Sequence, residues 1–187
     1  MLMNWLEAIK RYTPYNEQEA KDKELTLKYS YIFSDMLTRS NELVHMTSSA
    51  FIINKNRHKT LMIHHNIYNS WAWTGGHADG EEDLLKVALK EAREETGVIN
   101  LRPILEDIFS LDLIPVLGHV KKGKYVAPHL HISAAYLIEA DENDQLTIKP
   151  DENSGVMWIP LDEINAWSNE SHMKKIYSKI VSKIKEL

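Results

Sequence analysis

Three carboxylates are the residues with the clearest capacity for chemistry. Glu91, Glu94 and Glu95 are spaced i, i+3 and i+4. If residues 84–96 form a helix, their side chains gather within one turn. Like charges at that spacing repel, and the C-terminal end of a helix disfavours anions further. The segment therefore works against its own stability, as functional sites do. A hard divalent cation would remove the conflict, because Mg²⁺ takes carboxylate oxygens together with substrate phosphates. Taken alone, the three residues also fit a solvated helix face, since Lys86, Lys90 and Arg93 are interspersed.

The elements that must position these groups are legible. Asp83 can cap the helix N-terminus. Gly97 suits the left-handed residue after its end. Leu85, Ala88, Leu89 and Ala92 form the apolar face, with alanines small enough for close packing on a sheet. Upstream, Ala50–Ile53 and Thr60–His64 read as a hairpin around the polar turn 54–58. Downstream, 104–113, 129–138, 146–148 and 157–159 read as strands, and 161–167 as a helix. Met173, Ile176, Tyr177, Ile180, Val181 and Ile184 mark an amphipathic C-terminal helix. Residues 1–44 are polar and lack glycine. Trp5, Leu6, Ile9 and Tyr12 have helical spacing up to Pro14, and Leu25, Tyr29, Ile32, Phe33, Met36 and Leu37 continue it. This organisation is an α/β protein with a mixed sheet over 45–187 and a helical extension over 1–44. The extension is read as a cap on the core rather than a ligand-binding arm, and as a candidate homodimer contact.

The stretch from Gly76 to Val98 resembles the Nudix box. It reads Gly76, five residues, Glu82, seven residues, then Lys90-Glu91-Ala92-Arg93-Glu94-Glu95-Thr96-Gly97-Val98. Lys90 stands where the family usually has Arg, and lysine keeps the charge without the planar fork. The segment 158–164 also looks typical of the family. The resemblance implies an α/β/α sandwich and Mg²⁺- or Mn²⁺-dependent hydrolysis of a nucleoside diphosphate linked to another moiety. A nucleotide sugar such as ADP-ribose, a dinucleotide or a nucleoside triphosphate is the implied small-molecule substrate. It also implies roles: Glu94 and Glu95 as main metal ligands, and Glu91 as ligand or base. The Gly76 carbonyl and Glu82 would be supporting ligands, and Lys90 would orient Glu91. The alternative is a non-catalytic nucleotide-sensing domain of the same family, which would not need three clustered carboxylates.

Further candidates surround the box. His77 follows the glycine pair and would contact phosphate. His129 and His131 share one strand face with Ser133 and would donate to substrate in the cleft; a surface role, or a separate zinc site with His45, are the other readings. Glu152 is the candidate for an acidic residue drawn from outside the box. Tyr68, Trp71 and Trp73 could stack on a base but fit core packing better. Lys121, Lys122 and Lys124 form a basic loop that reads as solvated.

Composition bounds the rest. The 187 residues suit one domain with an extension. The absence of Cys excludes thiolate metal sites, disulfides and the cysteine-dependent isomerase branch of the superfamily. A formal charge of −5 argues against a DNA-coating protein. Nor is there a basic aromatic-rich patch for RNA ends. No apolar run approaches the ~20 residues of a membrane span, and no secretory signal is evident, so the expected location is the cytoplasm.

Overall fold

The computed structural model describes residues 4–121 and 123–187. Lys122 of the basic loop lies outside the described residues.

The sheet is organised by its two longest strands. β1 (Val44–Asn54) runs parallel to β9 (His129–Ala140), in register from Val44 opposite Leu130 to Asn54 opposite Ala140. Every residue of β1 is buried, so both of its faces are covered. β2 (Lys59–His65) returns antiparallel to β1, and β10 (Asn153–Pro160) pairs antiparallel on its outer edge. The short strands β3 (Ser70–Ala72) and β4 (Thr74–His77) pair with β2 and β1. β5 (Arg102–Pro103) and β6 (Ser110–Val116) pair antiparallel with β9. The result is an eight-stranded mixed sheet; β7 (His119–Lys121) and β8 (Lys124–Val126) form a separate hairpin.

Strand alternation divides the core in two. Met46, Ala50 and Ile52 of β1, with Ile132, Ala134 and Tyr136 of β9, face α1 (Trp5–Arg11) and α3 (Leu84–Thr96). Phe51 and Ile53, with Ala135 and Leu137, face the amphipathic α5 (Ser171–Lys185). This is the expected α/β/α sandwich. Ile9 of α1 and Tyr12 just after it are buried in the first core, so the N-terminal segment shares it.

α2 (Glu17–Ile32) is held differently. Its fully buried residues are Glu19 and Thr26. Glu19 meets Lys179 of α5 at 2.8 Å, and Lys179 also pairs with Asp112 of β6. Tyr12 donates to Glu19, and Ser110 donates to both Glu19 and Asp112. A buried ionic network therefore ties α2 to the sheet and to α5.

Four sequence expectations are corrected. The second helix stops at Ile32 and does not reach Leu37. Met36 instead turns into the core, and its carbonyl accepts from Met46 N–H at 2.7 Å. Residues 104–113 are not one strand. Pro103 pairs with Ile138 and Ser110 with Ala135, so 104–109 loop out, carrying the exposed Glu106 and Asp107, which suit strands poorly. Residues 146–148 are not a strand either, because Thr147 N–H goes to the Thr96 carbonyl at the end of α3. The helix expected over 161–167 is limited to α4 (Ile164–Trp167).

Candidate active site

α3 begins and ends as its sequence dictates. The Asp83 carboxylate accepts from Lys86 N–H at 3.0 Å. Gly97 takes φ of 77°, and an added Cβ there would also lie 2.1 Å from Thr147 Oγ1. Ala88 and Ala92 are fully buried against the sheet. That close packing brings Glu91 and Glu95 onto the glycine pair of β4. Gly75 N–H donates to Glu95 Oε2 at 3.0 Å. A Cβ on Gly76 would sit 2.6 Å from Glu91 Cδ, so only glycine leaves room for that carboxylate.

A third carboxylate arrives from far along the chain. The turn at 149–152 is closed by Glu152 N–H on the Lys149 carbonyl. Asn153 then donates from Nδ2 to the Glu95 carbonyl at 2.9 Å, fixing the start of β10 beside the end of α3. Carboxylate oxygens of Glu91, Glu95 and Glu152 consequently lie within 4.8 Å of one another.

The other expected residues take different places. Lys90 lies 3.4 Å from Glu91 Oε1 and 3.7 Å from Glu94 Oε1. Glu94 is exposed and pairs with Lys149 at 3.2 Å. Lys149 also reaches Glu152 at 3.2 Å. Glu82 is exposed, accepts from Asn4 Nδ2 at 3.0 Å, and stands outside the grouped carboxylates. Neither Lys149 nor Asn153 is a site candidate from the sequence; nothing in their local spacing signals a role there, because the pairing of β10 with β2 delivers them.

Electrostatics mark the group as unusual. Burial, followed by the charges of Glu152 and Glu91, pushes the Glu95 carboxyl up to about 9, against the opposing Gly75 hydrogen bond. Burial also raises Glu91, with Lys90 opposing and Glu94 adding to the shift. At Lys149 burial acts downward, but the hydrogen bonds to Glu94 and Glu152 prevail and raise it. Three carboxylates this close repel one another, and a hard divalent cation suits the donor set.

The histidines gather elsewhere. His77, His129 and His131 lie together with the buried His45, with ring centroids 4.9–5.1 Å apart in five pairings. Burial pushes His77 down to about 3 and His131 down to about 2, with neighbouring cationic and imidazole groups adding to both. Trp73 is core, edge-on to Tyr177. Trp71 packs edge-on to Trp167, while the part-exposed Tyr68 stacks on His65 at 4.4 Å.

A mixed sheet between helical layers, with a glycine pair feeding two helix carboxylates, defines the class of the Nudix hydrolases. The chain belongs to the Nudix family, whose NUDIX domain model matches residues 44–180. Solved structures of similar fold include an Ap4A hydrolase from C. elegans, with 16% identity, 76% of this chain and 98% of that chain covered, and a TM-score of 0.53. A MutT protein from Methanosarcina mazei Go1 gives 17%, 78%, 98% and 0.55. The dihydroneopterin triphosphate pyrophosphohydrolase of E. coli gives 12%, 74%, 95% and 0.54. No curated protein sequence matches the chain. Among the described residues, no helix is long and apolar enough to cross a membrane.

Proposed function

We propose that this chain hydrolyses the pyrophosphate bond of a nucleoside diphosphate linked to another moiety, with Mg²⁺ or Mn²⁺ held by Glu91, Glu95 and Glu152. The observation that carries the reading is the convergence of those three carboxylates within 4.8 Å. Glu94, one residue from Glu95 on the same helix end and paired with Lys149 and Lys90, would be a further ligand. The Gly76 carbonyl would be a further oxygen donor, and Glu82, held by Asn4 outside the group, would act on the ion through water. A divalent cation bound there supplies positive charge where the diphosphate oxygens carry negative charge.

The chain's own residues do the rest. Glu91 accepts a proton from the attacking water at a carboxylate oxygen, a contribution of about 10²–10⁴ in rate. Lys90, 3.4 Å away, holds that carboxylate in place. Gly76 keeps space for it. Gly75 N–H and Asn153 fix Glu95 at its side chain and at its carbonyl. Lys149 sits at the rim as a cation for substrate phosphate. We further assign residues 1–44 as an extension packed on a hydrolase domain at 45–187, supported by the burial of Ile9, Tyr12 and Glu19.

The test is a product-release assay with Mg²⁺ and Mn²⁺ over nucleotide sugars, dinucleotides and nucleoside triphosphates. Metal-dependent cleavage between the phosphates of at least one class is expected. Tight nucleotide binding with no turnover anywhere would overturn the enzymatic reading in favour of a nucleotide sensor.

A further inference from the structure

We propose that His45, His77, His129 and His131 form a second metal site, separate from the carboxylate centre, that binds one transition-metal ion of the Zn²⁺ class. Three strands deliver the four rings. His45 on β1 pairs in register with His131 on β9, Thr47 pairs with His77 on β4, and His129 lies two residues before His131 on the same strand face. Ligand nitrogens of His45, His77 and His131 lie within 4.8 Å of one another. His129 Nε2 is 3.1 Å from His131 Nε2. Two imidazoles on a tetrahedral Zn²⁺ with bonds of about 2.05 Å have nitrogens about 3.3 Å apart. The His129–His131 pair already has that separation, and the pairs among His45, His77 and His131 need a contraction of about 1.5 Å or less, within reach of side-chain rotation.

The hydrogen bonds outside the cluster orient the rings for a ligand inside it. His45 Nδ1 is 2.8 Å from the Asn41 carbonyl, and His129 Nδ1 is 2.8 Å from the Ala127 carbonyl. A carbonyl only accepts, so each Nδ1 carries the proton and each Nε2 presents a lone pair inward. This is the arrangement that supports metal-binding histidines. His45 is 4% exposed, and its Nε2 is buried with no hydrogen-bond partner. Buried polar atoms rarely stay unmet, and an ion among the four nitrogens would meet this one. Among the described residues no carboxylate is hydrogen-bonded to any of the four rings. An all-imidazole donor set selects Zn²⁺ and its transition-metal neighbours over Mg²⁺, which seeks oxygen. His77, His129 and His131 are only half-buried, which leaves an entry path.

The site is distinct from the carboxylate centre by geometry. Gly76 points toward Glu91 on the α3 side of the sheet. The next residue, His77, points to the opposite side, as strand alternation requires. An ion on the histidines would clamp β1, β4 and β9 behind the glycine pair. It would thereby hold the strand on which Glu91 and Glu95 rest.

The test uses the full untagged chain, stripped with a chelator and titrated with Zn²⁺ by calorimetry and with Co²⁺ by visible absorption. One equivalent with the intense absorption of four-coordinate Co²⁺ is expected, apart from any ion taken up by the carboxylate centre, whose oxygen donors give only weak absorption. The same spectrum is expected in Glu95→Gln, which leaves the histidines untouched. His77→Gln and His131→Gln should each weaken binding by more than about 100-fold, beyond the loss typical of an outer-shell partner. Should either variant fail to fold, as judged by circular dichroism, His129→Gln carries the test through its half-exposed ring and should abolish the four-coordinate spectrum. No Co²⁺ uptake by the wild-type chain, loss of uptake in Glu95→Gln, or an unchanged spectrum in the folded histidine variants would overturn the proposal. Absence of hydrolysis over the nucleotide panel would leave this spectrum intact, so the two readings fail separately.

Discussion

Alanine at either glycine of the Gly75-Gly76 pair should produce opposite failures. At Gly76 the new Cβ meets Glu91 Cδ at 2.6 Å, Cγ at 2.8 Å and Oε1 at 2.9 Å. Ordinary contact begins at 3.4 Å, so the carboxylate must retreat by 3.4 − 2.6, about 0.8 Å. All three atoms belong to a side chain that can move, and Gly76 does not have positive φ. The fold should therefore persist, with the backbone change itself worth only about 0.4–1 kcal/mol. Catalysis should suffer, because a misplacement near 1 Å costs on the order of 100-fold. That loss is about 2.7 kcal/mol of transition-state stabilisation. At Gly75 the new Cβ meets Ser49 Oγ at 2.6 Å and the Ser48 carbonyl at 2.8 Å. The second is backbone of the central strand and has nowhere to go. Gly75→Ala should accordingly lower stability by about 1–3 kcal/mol, as overpacking does. The assay pairs kcat/KM on the best substrate of the panel with urea midpoints for both variants. Wild-type turnover by Gly76→Ala would refute the claim that Glu91 must occupy that space.

The buried ionic network gives two more expectations. Lys179→Met should destabilise the fold by about 3–5 kcal/mol, since it removes the nearest cation from Glu19 and Asp112, whose side chains are 0% and 1% exposed; a urea-measured loss under 1 kcal/mol would contradict this. Burial alone would raise the Glu19 carboxyl, but hydrogen bonds from Lys179, Tyr12 and Tyr15 outweigh it and hold it low. A depressed carboxyl contributes its stability fully above its unfolded value of about 4.3 and loses it as pH falls through the folded value. Wild type should thus lose more stability below about pH 4 than Glu19→Gln does, and parallel acid-unfolding curves would count against the linkage. Asp22, raised by burial, acts in the opposite sense in both proteins and cancels in the comparison.

What could be read from the sequence was local. Asp83 and Gly97 bracket α3 at the expected residues, because capping depends on neighbours in the chain. Residues 129–138 likewise read as the strand β9, since a strand covered on both faces stays apolar over a long run. Where the sequence misled, a distant partner decided. Thr147 resembles strand but is claimed by the α3 terminus. The apolar residues of 104–113 hide a loop carrying Glu106 and Asp107. The buried face of α2 carries Glu19 and Thr26, polar residues that no hydrophobic periodicity can select. The site divides the same way. Glu91 and Glu95 follow from helix spacing, whereas Lys149 and Asn153 join them only through the pairing of β10 with β2. His129 and His131 share a face by alternation, but their meeting with His77 and His45 needs the parallel register of β1 and β9.

The most direct measurement of the central claim is the turnover of Glu95→Gln at saturating Mn²⁺ on a substrate the wild-type chain cleaves, with the melting curve recorded alongside. Loss of most activity, by at least about 100-fold, with the fold intact is the result predicted. Wild-type turnover by the folded variant would contradict the assignment of hydrolysis to the Glu91–Glu95–Glu152 centre.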